Sequence, residues 1–156
     1  MKLIRATKGN LLFHVAERER TLLVELLSLY PRVPAAHQRL SNSGKIPGGE
    51  ESQRLLDEAL AQQRTETKNK LRAFMTDPRR FERSEPGYRL SISPAEVEWL
   101  LQVLNDIRVG SWILLGSPAQ RLEIDSLNEQ NSADVWAMEI AGSFQMHLLE
   151  ALEGRT

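Results

Sequence analysis

Two hydrophobic patterns alternate along this chain: short runs that are apolar at every second residue, and longer runs in which apolar residues return every three or four positions. A period of two marks a half-buried strand, and a period near 3.6 an amphipathic helix. Lys2 to Ala6 and Leu11 to Val15 are short apolar-rich runs on either side of Thr7-Lys8-Gly9-Asn10, a turn-forming cluster, and they predict an antiparallel hairpin. From Glu17 the period lengthens. Leu22, Leu23, Leu26, Leu29 and Tyr30 fall at helical spacing until Pro31 and Pro34 end the run, which predicts a first helix up to residue 30. Residues 31–49, rich in Pro, Ser, Asn and Gly, read as a loop with a helical turn near Ala35 to Leu40.

A long second helix is expected from Glu50 to about Met75. Leu55, Leu56, Ala59 and Leu60 make its beginning amphipathic, and Leu71, Phe74 and Met75 its end. Its middle, Gln62 to Lys70, has no apolar residue, so it either projects into solvent or lies against a partner. Asp77-Pro78 ends it, and a basic loop follows. Tyr88 to Ile92 alternates like a half-buried strand. Ser93-Pro94-Ala95-Glu96 then supplies an N-cap serine, a proline at the first helical position and a glutamate at the capping-box position, so a third helix starts at Pro94. It runs to about Leu115, where Gly116-Ser117-Pro118 closes it. A fourth helix spans about Asn131 to Glu153, with Gly154 as terminator.

These elements predict one domain over residues 1–156 in the α+β class. It is predominantly α-helical, with about four main helices packed on a small antiparallel sheet of about three short strands. Its parts are a hairpin and helix over 1–30, the loop 31–49, the long helix 50–76, and a strand with two helices over 87–154. A faint internal echo supports the sheet: Leu12 to Leu29 and Leu90 to Ile107 both read as a strand, an acidic first turn and a leucine-rich helix.

Composition narrows the function classes. The chain has 156 residues and no cysteine, which removes disulfides, thiolate metal sites and cysteine nucleophiles together and fits a reducing, cytoplasmic setting. The apolar block Leu11 to Val15 is broken by His14 and does not resemble a secretion signal. The longest apolar run, Trp112 to Leu115, is far short of the roughly 20 residues that cross a bilayer. The net charge of -1 conceals an uneven distribution: residues 64–89 hold eight Lys and Arg against four Asp and Glu, residues 95–156 three against ten. The basic segment Lys68, Lys70, Arg72, Arg79, Arg80 and Arg83, with Phe81 and Tyr88 beside it, is a candidate phosphate-contacting and base-stacking patch. Complementary solvated faces of one fold explain the same charges more simply.

Catalytic signatures are missing from the sequence. Ser41-Asn42-Ser43-Gly44-Lys45 uses phosphate-loop vocabulary, but Arg39 stands where the first glycine belongs and Ile46 where the magnesium-binding Ser or Thr belongs. His14, His37 and His147 are scattered. His147 and Glu150 lie one helical turn apart, which suits a surface pair better than a metal site needing three or four convergent ligands. No catalytic, cofactor-binding or metal-binding residue is therefore expected.

The run Leu104-Asn105-Asp106-Ile107-Arg108, followed by Leu114-Leu115-Gly116, resembles the hallmark of a bacterial domain-of-unknown-function family, number two thousand and seventeen. The likeness is closest from Tyr88 to Gly154, and Trp112-Ile113 departs from the Thr-Arg pair of that family. Members are often encoded beside the adaptor of the Clp protease. The resemblance implies a regulatory or proteolysis-linked role and no activity, cofactor or catalytic residue.

Two further expectations concern surfaces. The fourth helix is apolar on two sides, with Ala137, Ile140, Ala141, Phe144, Leu148 and Ala151 on one and Val135, Met138, Met146 and Leu149 on another, while Gly142 permits close helix approach. The second side predicts a homodimer or another protein partner. In the third helix, Arg108 falls within the stripe Val97, Leu100, Leu101, Leu104, Ile107, Ser111 and Leu115, so a buried polar cluster is expected there. Asn105 and Trp112 flank it, and Asp134 or Glu139, or Glu25 of the first helix, would supply the carboxylate. Such a cluster is either a structural ion pair or an anion-binding site. A non-enzymatic, adaptor-like interaction domain is the leading expectation, and a nucleic-acid-binding regulator using residues 64–89 the alternative.

Overall fold

The computed structural model describes residues 1–35 and 48–154. Strand β1 (Lys2–Ala6) and strand β2 (Leu11–Ala16) form the expected hairpin, closed where the Thr7 N–H donates to the Asn10 carbonyl at 2.9 Å. The register slips between Leu3 and Arg5, which leaves Ile4 half exposed. Alternation then decides which side of the sheet is covered. Leu11, Phe13 and Val15 of β2 pair with Ile92, Leu90 and Tyr88 of strand β4 (Gly87–Ile92), and these residues line the core face. Leu12 and His14 point the other way with Ser91 and Arg89. Gly87 sits where any Cβ would lie 2.4 Å from the Val15 carbonyl oxygen, so only glycine lets these strands approach so closely.

The sheet has four strands in the order β1-β2-β4-β3, all antiparallel. Strand β3 (Phe81–Ser84) lies where the sequence suggests a basic loop. Only its first residue, Phe81, is buried, and Glu82 and Arg83 remain in solvent. A charged edge strand that anchors a single side chain leaves almost no period-two signal, and the charge protects the free edge from pairing with other chains.

The helices cover one face of this sheet. Helix α1 (Glu17–Leu27) contributes Leu23, Leu26 and Leu27 to the core and stops three residues short of the expected end. Helix α3 (Pro94–Leu114) begins as its capping box predicts: the Ser93 hydroxyl accepts from the Glu96 N–H at 3.2 Å, and the Glu96 carboxylate accepts from the Ser93 N–H at 2.8 Å. It ends at Gly116, whose φ of 84° a residue with a Cβ rarely adopts. Helix α4 (Ser132–Glu153) buries Ala137, Ala141, Phe144, Leu148 and Ala151, the first of its two predicted sides. Each buried Leu or Phe contributes about 1.5–3 kcal/mol relative to an exposed one.

Helix α2 (Gly49–Thr76) is different. Only Leu71 and Phe74 are buried, and Leu55 is 53% exposed, so the long helix is anchored by its last turns. Phe74 stands edge-on to Phe81 at 6.2 Å and tilted against Trp99 at 6.1 Å. The apolar-free middle meets solvent except at Arg64 and Thr67. Leu40, His37 and the Ser41-to-Lys45 stretch fall in residues 36–47, outside the described residues, as does most of the turn expected near 35–40. Among the described residues no helix is long and apolar enough to cross a membrane.

Candidate interaction surface

Helices α3 and α4 run antiparallel, because contacts descend along α4 as they ascend along α3: Gln145 donates to the Leu101 carbonyl, Gly142 faces the Arg108 stem, and Met138 sits with Trp112. Their outer seam forms two adjoining hollows. One is lined by Arg108, Val109, Trp112 and Met138, the other by Arg108, Gly142, Gln145, Met146, Leu149 and Glu150, among others. Met146 is 53% exposed, Leu149 47% and Trp112 38%, while Val135, Met138 and Gly142 are half-buried. The second apolar side of α4 is thus only partly covered by the described residues. The Trp112 ring is held in place by its indole N–H, which donates to the Pro118 carbonyl at 3.0 Å.

Arg108 does not lie in a buried cluster. Its side chain is exposed and donates to Asn105 at 3.2 Å, and no carboxylate among the described residues pairs with it. The carboxylates expected to meet it are engaged elsewhere: Asp134 pairs with Arg32, and Glu139 with Arg121 at 2.8 Å. Glu25 is exposed on α1. The expected stripe is too wide. The buried arc of α3 is Val97, Leu100, Val103, Leu104, Ile107, Gly110 and Ser111, and at 100° per residue Arg108 lies just past its edge, beside half-buried Leu101.

The polar network that does form centres on Asp106 and Arg32, neither of them in the expected cluster. Residues 30–33 cross α3 as a strap. Asp106 Oδ1 accepts from the backbone N–H groups of Arg32 at 2.6 Å and Val33 at 3.3 Å, the Arg32 guanidinium pairs with Asp134, and Arg64 donates to the Val33 carbonyl at 2.7 Å. Gly110 makes the crossing possible: a Cβ there would lie 2.4 Å from the Arg32 carbonyl carbon. A glycine one turn after an aspartate inside a leucine-rich helix is the signal of this crossing that the sequence carries.

The basic patch divides. Arg80 is largely buried, forked onto Glu96 and stacked over Phe74 at 4.7 Å. Arg83 is held by Glu85 at 3.0 Å and by the Tyr88 hydroxyl, and Lys70 lies over the Trp99 ring at 4.4 Å. Lys68, Arg72 and Arg79 are exposed. Half of the patch therefore secures the β3–β4 corner and the end of α2. His14 lies half-buried on the sheet face opposite the helices, and His147 approaches Glu19 rather than pairing with Glu150.

Two glutamates repeat one arrangement. Glu19 and Glu96 each occupy the third position of a helix that follows a strand, and each accepts from its N-cap backbone N–H at 2.8 Å. Burial raises both pKa values, but the opposing hydrogen bonds win: the chain's terminal ammonium and Ala16 at Glu19, and Arg80 and Ser93 at Glu96, leave both below the usual carboxylate value. Compared with protein-family models, with curated proteins and with solved structures, the chain matches none of them.

Proposed function

We propose that this chain is a non-enzymatic, regulatory or adaptor-like module that works through protein contacts, and that its α3–α4 seam is the contact surface. The observation that carries this reading is the run of uncovered apolar side chains Trp112, Met146 and Leu149, with half-buried Met138 among them. The first occupant is a second copy of the chain. Arg108 lies beside the middle of the stripe and Glu150 towards one end, and neither has an oppositely charged partner among the described residues. A two-fold interface places the same patch on both sides. With the two α4 helices antiparallel, the Arg108 of one copy meets the Glu150 of the other while the apolar stripes close between them. The resemblance at Leu104 to Arg108 and Leu114 to Gly116 to a proteolysis-linked bacterial family supports the same reading, and the cysteine-free composition supports a cytoplasmic setting.

Sedimentation at tens of micromolar tests the proposal, since an interface of standard size, about 1,600 Å² in total, is stable there. Wild type should sediment as a dimer and Met146→Glu as a monomer that keeps the wild-type circular dichroism spectrum, with a melting temperature that no longer rises with concentration. Arg108→Glu should weaken the dimer, and the double exchange Arg108→Glu with Glu150→Arg should restore it. A monomeric wild type, or a Met146→Glu variant that still dimerises, removes the second copy from the seam. Nucleic acid is tested in parallel by a filter-binding titration across salt, in which a steep log-log slope would favour residues 64–89 instead.

A further inference from the structure

On the other flank of α3 from the seam, a cleft of about 180 Å³ opens between that helix, the polar middle of α2 and Tyr30 at the start of the strap. Leu60, Trp99 and Val103 supply its apolar lining. Arg64 and Asp106 bring a positive and a negative group to it. These two do not pair with each other, because Arg64 forms no ion pair within 4.0 Å among the described residues. Each is positioned by the strap and keeps capacity to spare. The guanidinium gives one nitrogen to the Val33 carbonyl, and its remaining N–H groups are not used by any described residue. Asp106 receives both strap amides on Oδ1, so Oδ2 has no donor among the described residues.

We infer that this cleft binds a small zwitterion of the α-amino acid class, its carboxylate on Arg64, its ammonium on Asp106 and its side chain against Leu60, Trp99 and Val103. A ligand with a single charge would leave the opposite group of the cleft unanswered, which is costly for half-buried charges. A ligand carrying both charges a few ångströms apart answers the two together. The volume also selects by size, since drug-sized ligands need roughly 300–1,000 Å³. Tyr30 adds a hydroxyl on the same wall, near Thr67. Burial, with the Asp106 charge beside it, outweighs Thr67 and Arg64 and holds that phenol above its ordinary pKa, so at neutral pH it offers a proton as well as an acceptor.

Calorimetric titration of the full chain with free L-leucine and L-methionine, and with their N-acetyl and carboxamide derivatives, tests the inference. Free amino acids should bind in the millimolar range or tighter, and blocking either end should weaken binding at least about tenfold. Arg64→Gln and Asp106→Asn should each cause a similar loss. The asparagine keeps an acceptor for the strap amides, and Arg64→Gln together with the blocked ligands on wild type gives the answer should Asp106→Asn fail to fold. Amide NMR shifts should concentrate at Thr67 and Gln102. No binding of either free amino acid at millimolar concentration overturns the inference, as does an N-acetyl derivative that binds as well as its parent.

Discussion

Arg80 and Glu96 meet fork to fork, Nη2 on Oε1 at 2.6 Å and Nη1 on Oε2 at 2.9 Å, with only 20% and 25% of their side chains exposed. The same Nη1 also donates to the Ser91 carbonyl at 2.8 Å, so one guanidinium ties the end of β4 to the start of α3. Bidentate pairs of this kind exceed surface pairs in strength because geometry and partial burial both favour them. Arg80→Gln should therefore lower stability by about 1–3 kcal/mol in urea unfolding. Arg83→Gln, at an exposed corner where solvent screens the pair, should change it far less. Equal effects would mean that the fork contributes no more than a surface contact.

Acid should act through the same element. Glu96 and Glu19 both titrate below the usual carboxylate value of 4.5 in the folded chain. A depressed folded pKa stabilises the fold above the unfolded pKa, and that stability is lost as pH falls through the folded one. Thermal unfolding followed from neutral pH downward should thus hold steady to about pH 4.5 and weaken below it. In Glu96→Gln the loss below that pH should be smaller.

Gly110, like Gly87, is a position where a Cβ would lie 2.4 Å from backbone of another segment. Gly110→Ala should cost about 1–3 kcal/mol or more, because the new methyl meets backbone atoms of Arg32 and Val33 rather than a side chain that can rotate away. Exposed Gly9, where an added methyl would meet nothing within 4 Å, is the matched control and should tolerate alanine. A displaced strap should also abolish amino-acid binding in the cleft, since both of its charges are positioned there.

Helix α2 should respond at one end only. Phe74→Ala should cost about 3–5 kcal/mol, as expected for a buried aromatic in contact with two others. Leu55→Ser, half exposed towards the other end of the helix, should leave the melting temperature within a degree or two. Hydrogen exchange should follow the same gradient, slow around Leu71 and fast towards Gly49.

How much of this was legible in the sequence depends on how each residue declares itself. The Ser93 cap, the hairpin and the buried side of α4 rest on local rules, since a cap needs four residues and a helix face a single turn, and all three are present as read. The pairing of two strand-helix units, hinted at by the echo between Leu12 to Leu29 and Leu90 to Ile107, is also there: β2 and β4 are neighbours. Arg108 falls outside the buried arc because the helical wheel fixes spacing but not the centre of that arc, which lies on the side nearer Asp106 and the strap. Strand β3 was hidden for a different reason. Its residues are polar, and what places Phe81 in the core is Phe74, a partner on another element.

The strand order carries a consequence for how the chain comes to its fold. Val15 pairs with Tyr88 and Leu11 with Ile92, so the two inner strands of the sheet are joined through α1, residues 28–48, α2 and β3. A lone two-stranded hairpin is at best marginally stable in water. The β1–β2 hairpin is made well before β4 and must wait for it before it has an inner neighbour. Closing so long a connection sets an entropic barrier before the reward arrives, which makes folding slower than for a bundle of similar size. Until then Leu11, Phe13 and Val15 lack the strand that pairs with them, and a chain ending after Thr76 would leave them so.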